Sequence, residues 1–286
     1  MTFPKYYIAS RSTPQKGLLS LVCYDRMMFT DKEFDCSGFL SESGKKEDEV
    51  YPLISSVVSA LISQCGFTGG GSVNVYGATV IPPDEIRGAS CRKILETLSA
   101  GACGIWYCSK DNALTFLPLA GSDTTIFPKV YAAVKGGLTK GPISRVIAEN
   151  SETGETFDTL GGNSVSETVR TESIFASAEN INGILTACRG YEMRNFSCDK
   201  LLLEDDIEIG GIFYAGETEY KILAYSLSFS PGGVFAAISA PALNESEFGY
   251  FTLAERAAMD ALQAGRKHKN VMISKYEGFN FVGRDS

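Results

Sequence analysis

The sequence predicts an α+β fold that becomes strand-rich in its second half, and three observations carry that expectation. Two stretches, 53–62 and 94–102, space their apolar residues by three and four, the period of a helix with one buried face. Many other stretches alternate apolar with polar residues over four to eight positions, the period of a half-buried strand. Clusters of Gly, Pro, Ser and Asn fall between the alternating runs and supply turns.

Taken in order, alternation opens the chain at Lys5–Ser10 and returns at Gly17–Asp25, where Leu19, Leu21 and Cys23 alternate with Ser20, Val22 and Tyr24. Ser12-Thr-Pro-Gln-Lys-Gly17 has turn chemistry, so the two runs are expected to pair as a hairpin. Asp31–Glu49 is polar and reads as an exposed loop. A helix is expected from Pro52, a residue tolerated in a first turn. Its buried face is Leu53, Ile54, Val57, Val58, Leu61 and Ile62, and Gly66 is placed to end it. Gly69-Gly-Gly71 lacks the following Lys-Ser/Thr and the strand-to-helix setting of a phosphate loop, and reads as a flexible turn. Ser90 can cap a second helix faced by Ile94, Leu95, Leu98 and Ala102, with Gly101 or Gly104 ending it. Ile105–Cys108 and Ala113–Leu117 then form a hairpin around Ser109-Lys-Asp-Asn112.

From Ile126 the pattern is mostly β. Strands are expected at Lys129–Val134, Ile143–Asn150, Ser164–Val169, Tyr191–Cys198, Ile212–Tyr214, Tyr220–Phe229 and Val234–Ala240. Ser151–Asn163 reads as a connection, Ile174–Cys188 as a helix, and Ser230-Pro-Gly-Gly233 as a turn. Short strands at this spacing point to a barrel or a sandwich. An amphipathic helix, Thr252–Arg266, and a loose tail close the chain.

Size and composition exclude several classes. A chain of 286 residues can hold two domains, and 44% hydrophobic with 21% charged residues is an ordinary globular balance. Net charge is −8 and the pI about 4.9, which disfavours a general nucleic-acid binder, because phosphate contacts need clustered Lys and Arg. The richest basic run, Arg266-Lys-His-Lys269, reads as a solvated helix end. Apolar runs are too short to span a bilayer, and the N-terminus lacks the pattern of a signal peptide, so no membrane insertion and synthesis in the cytoplasm are expected.

No motif in the chain specifies a chemistry. His268 is the single histidine, which leaves Ser-His-Asp and Cys-His catalysis without a base in a defined setting. The eight cysteines contain no CxxC and read as reduced core thiols, among them Cys23, Cys103 and Cys188. Glu47-Asp-Glu49 and Glu204-Asp-Asp206 are acidic clusters in loop-like sequence, where solvation explains them. Of these, Glu204 and Asp206 are the carboxylates that a wall hydrolase would use. Trp106 and thirteen tyrosines offer surfaces for stacking on sugars, but Trp106 lies mid-strand, where core packing is expected. No catalytic, cofactor-binding or metal-binding residue is nominated, and no cofactor is expected. The chain reads as a protein that works through its surfaces.

Two segments carry a resemblance. Leu18-Leu-Ser-Leu-Val-Cys-Tyr-Asp-Arg-Met-Met28 is followed by a polar loop and the Pro52 helix. Cys91-Arg-Lys-Ile-Leu-Glu96 then opens a helix that leads into the strand pair around Lys110-Asp-Asn112. That order resembles the baseplate-hub (tail-tip hub) family of phage and prophage tails. Leu202-Leu-Glu-Asp-Asp-Ile-Glu-Ile-Gly-Gly211 and Tyr220–Ala240 are similar to its later barrel strands, except that Gly211 stands where a Gly-Asp pair is more usual. The match covers residues 5 to 242.

The resemblance implies a β-barrel-rich tail hub fold with an inserted small α/β domain. Residues 1–23 would be N-terminal strands of the barrel region and 24–120 the inserted α/β domain. Residues 121–245 would form a β-barrel-like domain with one helix, and 246–286 a C-terminal helix and tail. Some twenty residues precede Asp25, so the chain is expected to lack the first barrel portion. The implied function is structural: a homotrimeric hub in the virion tail, joining the tube or distal tail protein to a spike, fibre or lytic module. A carbohydrate- or receptor-binding module and a cell-wall hydrolase are the alternatives.

Overall fold

The computed structural model describes residues 5–16, 18–40, 51–120, 134–160, 167–203, 206–230 and 233–240. The chain divides into two compact units, one comprising Thr2–Ser99 with Ile105–Phe116, the other Ala100–Gly104 with the chain from Leu117 onward. The fold is mixed α+β, with thirteen strands and four α-helices among the described residues.

The first unit opens with the expected hairpin, β1 (Tyr7–Gln15) and β2 (Leu18–Tyr24), paired antiparallel from Tyr7↔Tyr24 to Gln15↔Leu18. The strands run further than the turn chemistry implies. Ser12 to Gln15 join β1, and Pro14 is tolerated because the two-stranded sheet leaves β1 an outer edge. A 3-10 turn, Arg26–Asp31, occupies sequence with no clear period of its own. Helix α1 (Ile54–Cys65) buries Ile54, Val57, Val58, Leu61 and Cys65, whereas Leu53 precedes it and is exposed. Gly66 ends it at φ +71°, a left-handed position where the amide caps the Ile62 and Ser63 carbonyls. A short helix, α2 (Pro83–Ile86), precedes α3 (Cys91–Ala102), which Ser90 caps through a 3.1 Å bond from the Lys93 amide. Strands β3 (Gly104–Cys108) and β4 (Leu114–Pro118) pair around Asn112, itself left-handed at φ +60°. Val57, Leu61, Ile81, Ile86, Ile94, Leu98 and Leu114 are wholly buried and form this unit's core.

Two expectations here are corrected. Helix α3 runs through Gly101, and the left-handed residue after it is Cys103 at φ +53°, so neither Gly101 nor Gly104 is the stop. Nor is Gly69-Gly-Gly71 a flexible turn. Gly70 forms a bridge with Leu114, fixed by bonds from Leu114 N to Gly69 O (2.9 Å) and from Gly71 N to Leu114 O (2.8 Å). A Cβ on Gly70 would collide with the Ile62 side chain and stand 3.0 Å from the Leu114 carbonyl. Gly70 is the position of the three that needs to be glycine, so that two backbones can approach.

The second unit holds β5 (Val134–Lys140), β6 (Ile143–Glu149), β7 (Thr156–Asp158), β8 (Glu167–Glu172), α4 (Ile181–Cys188) and β9 (Met193–Leu202). It continues with β10 (Ile212–Ala215), β11 (Thr218–Lys221), β12 (Ala224–Ser230) and β13 (Gly233–Ala240). A four-stranded antiparallel sheet runs in the order β12-β13-β9-β5. A three-stranded sheet, β7-β6-β8, pairs β6 with β7 antiparallel and with β8 parallel. β10 and β11 form a separate hairpin whose Phe213 and Tyr220 rings lie 5.7 and 4.7 Å from Phe196 of β9.

The β-barrel expected over 121–245 is therefore not closed among the described residues. The four-stranded sheet ends at β12 and β5, and the parallel β6–β8 pair is incompatible with the simple up-and-down run that alternation implies. The expected helix over Ile174–Cys188 shrinks to its second half. The Asn150 side-chain amide donates to the carbonyls of Ile174 and Ala176 at 3.1 and 3.0 Å, and the side chains of Ser177 and Asn180 accept from each other's backbone amides. Those side-chain bonds compete with a helical ladder and win. Strand β7 lies in the expected connection, and Tyr220–Phe229 is broken between β11 and β12. Most of Lys129–Val134, and all of Thr252–Arg266, lie outside the described residues.

Candidate functional site

The Tyr24-Asp-Arg-Met-Met28 segment is a polar clasp within the first unit. Asp25 caps the 3-10 turn, its carboxylate accepting from the Met27 amide at 2.9 Å. Burial raises the carboxyl's pKa, opposed by that bond and by the charge of Arg92. Arg26 is held from several directions. Its Nη1 donates to the Cys65 carbonyl at 3.1 Å and its Nη2 to the Tyr7 hydroxyl, and the guanidinium lies over the Tyr7 ring at 4.9 Å. Phe29 completes the clasp with an edge-on contact to Tyr7 at 4.8 Å between centroids. Arg92 of α3 donates to the Met27 carbonyl at 3.1 Å and pairs with Asp31. These are the bonds by which one end of the β1–β2 hairpin is fastened, while Arg26 Nε is buried without a hydrogen-bond partner.

The thiols buried in the core are poorly placed for nucleophilic work. Cys65 and Cys91 are buried free thiols sharing a hydrogen bond, which raises the pKa of Cys65 and lowers that of Cys91, but Cys91 has no exposed surface. Cys103, a free thiol, is pushed up by a hydrogen bond with the Cys188 thiol and by burial, and burial with the nearby Asp25 charge lifts Cys108 to about 12. A protonated thiol is a poor nucleophile. Cys103 and Cys188 are core residues as expected, whereas Cys23 is exposed on β2, because nothing described lies over that face of the hairpin.

Trp106, the candidate for sugar stacking, packs edge-on against Phe116 at 5.1 Å, and its indole nitrogen is buried without a partner. Its ring is half-buried among neighbours and not laid open for a flat ligand. Asp206 is half-buried, while Glu204, Asp205, Glu47-Asp-Glu49 and His268 lie outside the described residues. Among the described residues there is no cluster of three His, Cys, Asp or Glu able to hold a metal ion, and no helix long and apolar enough to cross a membrane.

What the structure adds is a surface. On β1–β2 the register sets Ile8 opposite Cys23 and Arg11 opposite Leu21, so Ile8, Leu19, Leu21 and Cys23 share one face. Ile8, Leu19 and Leu21 are 62, 57 and 46% exposed. Alternation makes the strand legible in the sequence and suggests a core beneath its apolar face. A period of two is the same, however, whether the cover is the chain itself or another molecule.

No protein-family profile matches the sequence, and no curated protein aligns with it. Solved structures do match. The 43 kDa tail protein of prophage MuSo2 from Shewanella oneidensis superimposes with a TM-score of 0.51 over 87% of this chain and 78% of that one, at 11% identity. The prophage tail protein gp18 from Listeria monocytogenes EGD-e gives 0.49 over 85% and 78% at 10% identity. The tail protein from Neisseria meningitidis MC58 gives 0.45 over 83% and 79% at 11% identity. At such identities the likeness concerns the fold, and the MuSo2 protein is the comparison that carries it: this chain has an α+β fold similar to that of a prophage tail protein.

Proposed function

We propose that the chain is a non-enzymatic structural component of a phage or prophage tail, assembled in the host cytoplasm and resident in the virion tail. The observation that carries this reading is the fold likeness to the MuSo2 tail protein, which extends over most of both chains. The finer reading is a baseplate hub or tail tip, a homotrimer joining the tail tube to a distal spike, fibre or lytic module. It is supported by the resemblance of the Tyr24–Met28 and Cys91–Phe116 segments and by the sheet edges at β5 and β12, which have no further strand among the described residues and could pair with a neighbour.

The test is direct. Particles induced from the host are purified, their tails are separated from heads, and an antibody to this chain is applied with gold label. Label at the distal end of the tail tube is expected. Particles that carry no copy of the chain would overturn the reading, and label along the tube would overturn the hub assignment while keeping the tail role.

A further inference from the structure

We propose that the apolar face of the β1–β2 hairpin is an arm that docks on a second copy of this chain. The inference rests on the reading of the chain as a self-assembling tail component, and it names the surface that does the assembling. A two-stranded ribbon is marginally stable by itself, and alternation of this kind stabilises a strand only when its apolar side is covered. Here Ile8, Leu19, Leu21 and Cys23 form that side and all four are exposed. The opposite face is anchored at its Tyr7 end by Arg26 and Phe29 and is otherwise exposed, with Ser10, Ser12 and Ser20 and one apolar side chain, Val22. The sheet has no third strand among the described residues.

Charge decides the occupant. From Tyr7 to Tyr24 the ribbon carries two cations, Arg11 and Lys16, and no carboxylate, in a chain whose net charge is −8. A basic, apolar arm is complementary to the remainder of its own sequence. An acidic counterpart is present on the second unit, where Glu149 and Glu172 are neighbours in the parallel β6–β8 register and the exposed Glu152 and Glu155 follow in the turn. No Lys or Arg occurs between Ile147 and Thr159, and the one cation beside Glu172 on β8 is Arg170, paired with Ile147. The same argument disfavours two arms meeting face to face, which would pair two cationic ribbons. An arm on the acidic group of the next copy makes a head-to-tail contact, which forms a ring where the rotation closes.

The experiment uses the full chain. Sedimentation velocity and light scattering are followed over a wide concentration range, in parallel with the rate at which a maleimide alkylates Cys23, the exposed thiol among the eight. Association with rising concentration and a matching slowdown of Cys23 alkylation are expected. Leu21→Asp, at a side chain already in water in the single chain, should keep the fold and weaken association about thirtyfold, the loss of one apolar anchor at an interface. Val22→Asp, on the other face, should leave association unchanged. Three results would overturn the inference: a chain that stays monomeric throughout, association that leaves Cys23 as reactive as before, or association indifferent to Leu21→Asp. Failure here leaves the tail assignment standing if the gold label still decorates tails, and absence from particles overturns the tail assignment whatever the arm does.

Discussion

Replacing Gly66 with alanine separates the two jobs that this glycine performs. Gly66 sits at φ +71°, and a Cβ there would stand 2.6 Å from Arg26 Nη1. The left-handed backbone costs a side chain about 1–2 kcal/mol wherever it occurs. The collision adds a second cost, because Arg26 must withdraw from the Cys65 carbonyl and from the Tyr7 ring. Loss of a half-exposed charged hydrogen bond contributes about 1.5 kcal/mol. The cation–π contact contributes about 0.5 kcal/mol. Gly66→Ala should therefore destabilise the first unit by about 3–4 kcal/mol.

Gly88 supplies the control. It has nearly the same backbone, φ +65°, and nothing lies within 4 Å of the position that a Cβ would take. Gly88→Ala should therefore cost only the backbone part, about 1–2 kcal/mol. Urea unfolding followed by Trp106 fluorescence reads this unit alone, since Trp106 is the single tryptophan and lies within it. With a slope of about 2 kcal/mol per molar, the two midpoints should differ by about 1 M. An Arg26→Met background should erase that difference, which is the double-mutant form of the same claim. Equal midpoints for the two glycine variants, or a difference that survives Arg26→Met, would refute the clasp.

Two further outcomes follow from the second unit. Arg145 holds the Asp158 carboxyl at a pKa of about 2, through a 2.9 Å bond from Nε to Oδ1 and a second bond from Nη2. A carboxyl lowered on folding adds stability above its unfolded pKa and loses it as pH falls, so this contribution is full above about pH 4 and gone near pH 2. The pair is largely in solvent, so the contribution is small, and Asp158→Asn should flatten that acid limb in circular-dichroism melts; an unchanged limb would contradict the assignment. Phe213 is wholly buried between Phe196 and Tyr220, so Phe213→Ala should destabilise the second unit by about 3–5 kcal/mol, and a loss under about 1 kcal/mol would mean the β10–β11 hairpin is not packed as described.

The parts of the fold that sequence makes legible are those governed by one local rule at a time. The faces of α1 and α3, the Ser90 cap, the Gly66 stop and the left-handed Asn112 turn each follow from spacing or from a single residue's conformational habit. The misses share a different cause. Gly70 is explained by Leu114, forty-four residues away in sequence, and the shortened α4 by Asn150, which takes the carbonyls that a longer helix would need. The parallel pairing of β6 with β8 leaves no mark on either strand's alternation. Long-range partners of this kind are invisible to periodicity, and barrel closure is a long-range property of many strands at once.

The candidate site is legible in the same partial way. Residues Leu19, Leu21 and Cys23 obey the local rule for a half-buried strand while the described fold leaves their side uncovered, a disagreement between levels of the kind that marks a functional surface. The clasp explains why such a ribbon can be kept outside a core. Arg26, Tyr7 and Phe29 fix one end of it, so much of the ordering cost of presenting the apolar face is met before any partner arrives. The segments around Asp25 and Cys91 are thereby linked, because the same Asp-Arg-Met-Met turn that fastens the hairpin is braced by Arg92 from α3. Weakening the clasp through Gly66→Ala should accordingly loosen self-association as well as stability, although Gly66 lies on neither face of the arm.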